Sequence, residues 1–195
     1  MATDVSICSN ALLMVGAKTI NDFTENNDRT RLVSNLWPQV RDWILRSHYW
    51  NCAVARVQLA PDVTPPAFDY SLQYTIPTDW LRTLQVGELG SPIRYTQEGR
   101  KILADENPLD LVYVFRASEG TWDAALQFSA TLAMASTIAY AITQSASLAQ
   151  SMYQQLVLSL KTARSIDGQD NPAETLGDFR LFTSRFTTSV PTVLR

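Results

Sequence analysis

His48 and Cys52 are the first side chains in this sequence to consider for chemistry. They stand four residues apart in "RSHYWNCA", and His48 is the only histidine. A histidine beside a cysteine can activate the thiolate as a nucleophile. Cys52, however, lies among apolar neighbours where a helix is predicted to pass into a strand, and no Asn or Asp is evidently placed to orient the imidazole. We therefore interpret Cys52 as a core residue, and we predict no metal site because the chain offers too few ligands.

Paired carboxylates are a second source of chemistry, since glycoside hydrolysis needs only two of them across a cleft. A chain with 19 acidic residues supplies such pairs by chance, so solvated loop charge is the default interpretation. The nucleotide-binding patterns GxGxxG and GxxxxGK(S/T) do not occur. We predict no catalytic residue and no cofactor. The loop carboxylates considered are Glu98, Asp105, Glu106, Asp110, Glu119 and Asp123.

The charge is unevenly distributed over the 195 residues. The formal net charge is −3 and the pI is about 5.1, which argues against general attraction to nucleic acid or acidic membranes. Residues 179–195 carry three arginines and no acid, whereas residues 1–178 carry 13 basic and 19 acidic residues. Two cysteines cannot form a disulfide framework, and "MATDVSICSN" has no basic region before an apolar core. We expect a reduced, cytoplasmic history without a signal peptide.

Two helices are predicted in the N-terminal quarter. The first covers residues 5–15, with Thr3 as N-cap and Gly16 in left-handed conformation after its end. The second runs from residue 28 to about 49, and Pro38 within it predicts a kink or a break. The inner stripe of the second helix is predicted to contain Val33, Leu36, Trp37, Val40, Trp43, Ile44 and Ser47.

The middle of the chain changes to the two-residue period of strands. Residues 70–76 alternate Tyr, Leu, Tyr and Ile with polar residues, which is typical of a half-buried strand. A fully buried strand is predicted over 110–116. Weaker strands are predicted over 53–59 and 80–86, and a hairpin around the turn at Glu98-Gly99.

Two long helices follow, over about 121–143 and 147–164. Only "QSAS" separates them, so they are predicted to pack antiparallel as a helical hairpin. The fold class is therefore α+β, mainly α: a helical bundle core of four main helices with an inserted β-rich section. We place residues 1–170 in one domain, with helices within 3–50 and 121–164 and the β-rich section at 53–116. Residues 171–195 are predicted to form an extended C-terminal arm.

Residues 124–160 form a run of 37 without Asp, Glu, Lys or Arg. A membrane span is disfavoured because Gln, Ser and Thr interrupt the run and no basic flank precedes it. The first helix of the run has apolar or small residues on every side, which is typical of a helix that is buried all round. Either it is the central helix of the four-helix core, or its outer face packs on a neighbouring copy. The second interpretation gives as interface residues Phe128, Leu132, Ala135, Ile138, Ala139 and Ile142.

The tail interleaves aromatic and basic residues in "DFRLFTSRFTTSVPTVLR". Such residues are over-represented at interaction hot spots, so an arm that docks into a partner fits this composition. A tail folded on its own body, or partly disordered, is equally compatible. Single-stranded nucleic acid would use similar residues, but the acidic body argues against it. The contact residues predicted in the arm are Phe179, Arg180, Phe182, Arg185 and Phe186.

The N-terminal part of the chain resembles the tail tubular protein A family, which includes the head-to-tail adaptors of short-tailed bacteriophages. The resemblance is carried by "ICSNALLMVGAKTINDF" and then "RTRLVSNLWPQVRDWILRSHYWNCAVARVQLAPD". The shared features are a short helix ending at Gly, an Ile/Leu-x-x-Phe loop, a long helix, a strand and a Leu-x-Pro-Asp turn. "YTIPTDWLRTLQV" matches a further adaptor pattern, and the length and element order agree over essentially the whole chain.

The resemblance implies a structural virion protein. Members of the family assemble as a homo-oligomeric ring, usually a dodecamer, beneath the portal protein, where the ring extends the DNA channel and anchors the tail nozzle or other tail proteins. Genomic DNA passes through the lumen without sequence-specific binding, which an acidic body suits because like charge opposes phosphate contacts. The expected location is the portal vertex of the virion, after assembly in the host cytoplasm, with no membrane partner.

The alternative function is a virion-associated hydrolase of peptidoglycan or other glycans. Some members of related adaptor families are described as degrading such polymers. This sequence has no motif onto which that activity can be carried residue by residue. The alternative stays open because paired loop carboxylates suffice for the reaction.

Overall fold

The computed structural model describes residues 2–88 and 93–170. This part of the chain folds into four α-helices and two small antiparallel sheets, with 48% helix and 19% strand. The predicted fold class, α+β and mainly α, is confirmed. The predicted C-terminal arm, residues 171–195, lies outside the described residues.

Helix α1 (Asp4–Met14) begins and ends one residue before the predicted bounds, with the predicted Thr3 as its N-cap. The Thr3 hydroxyl accepts a hydrogen bond from the backbone of Ser6 at 3.1 Å, and the Ser6 hydroxyl accepts one from Thr3 at 2.8 Å. This reciprocal pair satisfies two backbone donors that a helix otherwise leaves unpaired. Gly16 follows the helix with φ 77°, a conformation that favours glycine.

Helix α2 (Asp28–Arg46) continues through Pro38 without a break. Pro38 is exposed, so the carbonyl that loses its helical donor lies on the side of the helix that water reaches. The helix ends earlier than predicted, where the Ser47 hydroxyl donates to the carbonyl of Ile44 at 2.7 Å. The predicted stripe is wrong for Trp43, whose surface is 52% exposed, because the apolar face turns instead toward Leu45, which is buried.

Six strands form two three-stranded sheets. Strands β1 (Val54–Leu59), β2 (Leu72–Thr75), β3 (Trp80–Val86), β4 (Tyr95–Glu98), β5 (Lys101–Ala104) and β6 (Leu109–Phe115) follow one another along the chain. The first sheet has the order β1-β6-β3 and the second has the order β2-β5-β4, with antiparallel pairing throughout. The predicted hairpin is present as β4 and β5, and its turn lies at Gly99-Arg100, one residue beyond the predicted position.

Strand β6 joins the two cores of the protein. Val114 belongs to the core of the helices, whereas Leu109 and Leu111 pack with Tyr74 and Ile102 in a second core between the sheets. This double burial explains why its sequence is more continuously apolar than that of the other strands, as predicted. The first sheet therefore connects the helices to the second sheet.

Helices α3 (Ala124–Thr143) and α4 (Ala146–Gln169) form the predicted antiparallel hairpin. Gln144 ends α3 in left-handed conformation, with φ 56°, and Ser145 caps α4. The hydroxyls of Ser129, early in α3, and Ser159, late in α4, lie 2.8 Å apart and hydrogen-bond across the pair. Helix α4 ends five residues later than predicted, which adds a further turn to the C-terminal end of the bundle.

Helix α3 is the central helix of the bundle. It packs against α1, α2 and α4, and every residue from Ser129 to Ala135 is buried. The many alanines of this helix allow its neighbours to approach closely. The interpretation as a central core helix is therefore confirmed for the middle of α3.

Leu132→Ala is expected to lower the free energy of unfolding by about 2–5 kcal/mol, because it removes buried methyl groups and leaves a cavity. Leu158→Ala, on the exposed side of the same hairpin, is the matched control and should change that free energy by less than about 0.5 kcal/mol. Urea unfolding of dilute protein, followed by circular dichroism, measures both. Equally small effects would contradict the placement of Leu132 in the chain's own core.

Candidate functional site

The imidazole of His48 lies where α2 ends and β1 approaches, and it faces a carboxylate. Its Nε2 atom is 3.3 Å from Oδ2 of Asp167, a buried residue in the last turn of α4. The ring of Trp50 packs edge-on against the imidazole, with ring centroids 4.8 Å apart. The expectation that no Asp is placed to meet this histidine is therefore wrong, and it failed because α4 was predicted to end at residue 164.

Asp167 also holds the end of α4 to the short turn that precedes the first sheet. Its Oδ1 accepts a hydrogen bond from the backbone N–H of Asn51 at 3.0 Å, and the Asn51 amide donates to the Asp167 carbonyl at 2.7 Å. One sequence signal points to this contact, because Asp167 continues the buried stripe of Leu156, Leu160 and Ala163 at helical spacing. A buried carboxylate needs hydrogen-bond partners, so its place in the stripe predicts a structural contact.

Burial shifts the pKa values of His48 and of the nearby Cys52. Desolvation lowers the pKa of His48 below 6.5; the nearby Asp167 carboxylate opposes the shift without reversing it, and the charge of Arg164 adds to it. Desolvation also raises the pKa of Cys52 to about 11, and the carboxylates of Asp123 and Asp167 act in the same direction. Cys52 therefore remains a protonated thiol at neutral pH, which makes it a poor nucleophile.

Several loop carboxylates considered for glycan hydrolysis have structural partners. Asp105 accepts hydrogen bonds from the backbone and the hydroxyl of Ser71, each at 2.8 Å. Asp123 caps α3, and Glu119 lies 3.5 Å from the guanidinium of Arg41 on α2. Each of the three acids therefore has a structural contact: Asp105 in a turn, Asp123 in a helix cap and Glu119 in an ion pair.

Other acidic side chains line an open polar cleft beside the N-terminal end of β6. The cleft has a volume of about 450 Å³ and is lined by Glu88, Glu106 and Asp110. Asp110 accepts a hydrogen bond from the amide of Gln58 at 3.0 Å. Across residues 2–88 and 93–170, no three His, Cys, Asp or Glu side chains cluster in a way that could hold a metal ion. The lining of the cleft also includes the amide side chains of Gln58 and Asn107.

An apolar groove runs between α2, α3 and α4, and we name it the Trp43 groove. It has a volume of about 380 Å³, and Trp43 and Tyr153 stand at its sides with 52% and 57% of their surfaces exposed. Ser136 and Thr137 of α3 form part of its lining. Val157, one turn after Tyr153 on α4, is also exposed and extends this apolar surface.

A second apolar groove lies between α3 and α4 on the other side of α4, and we name it the Phe128 groove. It has a volume of about 410 Å³ and is lined by Phe128 from α3 and by Leu158 and Thr162 from α4. Phe128 is 52% exposed and Leu158 is 67% exposed. Phe128 also borders a neighbouring groove against α1, where Leu13 is exposed. Apolar surface therefore continues from α4 across α3 to α1.

The interface residues predicted in α3 fall into different environments. Phe128 is exposed as expected, and Ile142 is half-buried against the core. The other four are at most 2% exposed, so their assignment to an outer face needs correction. The cause is that α1, α2 and α4 together cover the middle of α3, which was not evident from four helices counted along the sequence. The corrected residues are Leu132, Ala135, Ile138 and Ala139.

The interface residues predicted in the arm lie outside the described residues. These are Phe179, Arg180, Phe182, Arg185 and Phe186.

By length and composition alone, α3 could cross a membrane. Its most apolar window has a mean hydropathy of 1.4, and 56% of that window is buried inside the protein. Core helices pass the same test, so this property does not distinguish a span from a bundle centre.

No protein-family model matches this sequence, and no curated protein matches it. The resemblance to the tail tubular protein A family stays a prediction.

The stability of the protein is expected to fall as the pH decreases below 6.5. The pKa of His48 is lower in the folded chain than in the unfolded chain, so the unfolded chain binds the proton more tightly and acid favours unfolding. This contribution is fully present above pH 6.5 and is lost as the pH falls toward the lowered pKa. His48→Gln should remove this part of the pH dependence. Because His48 is the only histidine, NMR titration of its ring protons measures the pKa directly, and a midpoint at or above 6.5 would contradict the placement.

Proposed function

We propose that this chain is a non-enzymatic structural protein of a bacteriophage virion. In this proposal it is a head-to-tail adaptor, whose copies form a ring beneath the portal, extend the DNA channel and anchor the tail nozzle. The observation that carries the proposal is the exposed apolar and aromatic surface of the α3–α4 hairpin, in which residues 124–160 carry no charge. The ring is expected to be a dodecamer.

The exposed side chains of the bundle support a role in assembly. Tyr140, Tyr153 and Val157 are each at least half exposed, and so are Trp43 and Phe128. Scattered apolar residues are normal on a protein surface, but a continuous patch that crosses several helices is typical of an interaction site. Aromatic residues are also enriched where binding energy concentrates.

The state of the reactive groups supports a non-enzymatic role. Cys52 is held as a thiol by its raised pKa, and His48 is directed toward Asp167 rather than toward a nucleophile. Asp105 and Asp123 are engaged in a turn and a helix cap. These side chains therefore contribute to the stability of the fold.

The resemblance to the tail tubular protein A family supports the same role. The residues that carry it cover most of α1, the following loop, α2 and β1, and the second matching stretch covers the end of β2 and all of β3. The acidic balance of residues 1–178 fits a protein that surrounds DNA without binding it, since carboxylates repel the phosphate backbone. In this proposal the DNA moves through the ring without being bound, and the portal protein is the specific partner.

The purified chain is expected to bind the portal protein encoded in the same genome and to add a ring of density below it in electron microscopy. Val63→Glu, a fully exposed position in the loop before β2, is the control for added charge and should bind equally well. Absence of binding under conditions in which both proteins are folded would contradict the proposal. Lysis of peptidoglycan by the chain, abolished by Glu106→Gln in the acidic cleft, would favour the hydrolase instead.

Deletion of residues 179–195 is expected to weaken portal binding by at least about tenfold, because the removed segment holds the Phe and Arg residues suited to an interface. The helical content and the midpoint of thermal unfolding should stay unchanged. A matched variant with Phe179, Phe182 and Phe186 all replaced by Ser tests whether the aromatic rings carry the effect. Binding at full strength by both variants would remove the arm from the proposed interface.

A further inference from the structure

We propose that the Trp43 groove and the Phe128 groove are the two halves of one contact between copies of this chain. The Trp43 groove of one copy packs against the Phe128 groove of the next copy. This inference rests on the proposed function, because it takes the occupant to be a neighbouring subunit. To the proposed ring it adds the identity of the two surfaces that meet between neighbouring subunits.

The two grooves lie on opposite flanks of α4. Tyr153 belongs to one groove and Leu158 to the other, and five helical positions place them about 140° apart around the helix axis. A two-fold dimer would bury one flank twice and leave the other flank in water. A head-to-tail contact covers both flanks of every subunit, and such contacts close into rings when the rotation permits.

The chemistry of the two grooves is matched. The α3 and α4 residues that line them belong to the stretch 124–160, or follow it as the uncharged Thr162 and Ala163, and none of them carries a charge. A charged partner surface would lose its hydration against them without gaining an ion pair, which is costly. The opposite groove avoids this cost because its lining is equally free of charge. Its exposed Phe128 complements the exposed Trp43 and Tyr153 as an aromatic contact.

The area is of the right order for a repeated contact. Trp43, Tyr153 and Val157 expose about half of their surfaces, and the aromatic side chains each bury about 150–250 Å² when fully enclosed. These side chains alone therefore supply roughly 300 Å² on one face, compared with about 800 Å² per partner in an interface of standard size. The smaller residues that line the grooves, and the exposed Leu13 beside Phe128, extend the contact.

The test uses one charged variant for each flank. Tyr153→Glu damages the Trp43 groove and Leu158→Glu damages the Phe128 groove, while both positions are exposed and outside the core. Val63→Glu is the matched control. It likewise replaces an exposed apolar side chain by Glu, but it lies in the strand-rich section, away from both grooves. Sedimentation velocity over a range of concentrations, with and without the portal protein, measures association.

Each groove variant alone is expected to weaken self-association by at least about 100-fold, because a charge becomes buried without a partner. An equimolar mixture should form a heterodimer and nothing larger. In that pair, the intact Phe128 groove of Tyr153→Glu meets the intact Trp43 groove of Leu158→Glu, and the remaining two grooves are both damaged. The control variant should associate like the original chain.

The contact would be overturned if either groove variant formed homodimers at the original affinity, or if the mixture formed no heterodimer. It would also be overturned if the original chain stayed monomeric both with and without the portal protein. If the original chain and both groove variants all form rings on the portal, the contact is wrong and the proposed function stands. If the chain associates through these grooves but never binds the portal, the contact stands and the proposed function fails.

Discussion

The enclosure of α3 is the constraint on which the rest of the structure depends. A helix with no charged residue has no side that water favours, so α1, α2 and α4 must cover it. Its alanines permit this close approach, and its buried hydroxyls are satisfied within the hairpin, where Ser129 bonds to Ser159 and Thr131 bonds to the carbonyl of Gln127. The positions of the other helices follow from this requirement, and so does the placement of the outer flanks of α4.

The local parts of this fold could be predicted from the sequence, because local chemistry determines them. The cap at Thr3, the left-handed Gly16 and the two-residue period of the strands all depend on neighbours in the chain. The exposure of Trp43 and the late end of α4 could not be predicted in this way. Both depend on which elements meet in space, and at the end of α4 Asp167 is hydrogen-bonded to Asn51, which lies 116 positions away in the sequence.

The absence of charge pointed to the α3–α4 hairpin as a shielded segment, but the outer-face residues predicted from it lie mostly in the buried part of α3. An absence of charge indicates that a segment is shielded from water, but it does not indicate which molecule provides the shield. For the middle of α3 the shield is the protein's own bundle, whereas α4 covers one side of α3 and leaves its own flanks in solvent. The large apolar side chains that the hairpin leaves in solvent are therefore those on the flanks of α4, together with Phe128 and Tyr140 of α3.

The junction of Asp167 with Asn51 has a mechanical consequence. Tension applied to the chain beyond Asp170 reaches the body of the protein at the last turn of α4, where these two residues are bonded. Asn51 begins the short 3-10 turn that leads into β1, so the pull is also carried to the start of the first sheet. Such a pull must therefore break the two hydrogen bonds between Asp167 and Asn51 before the last turn of α4 can leave the body of the protein.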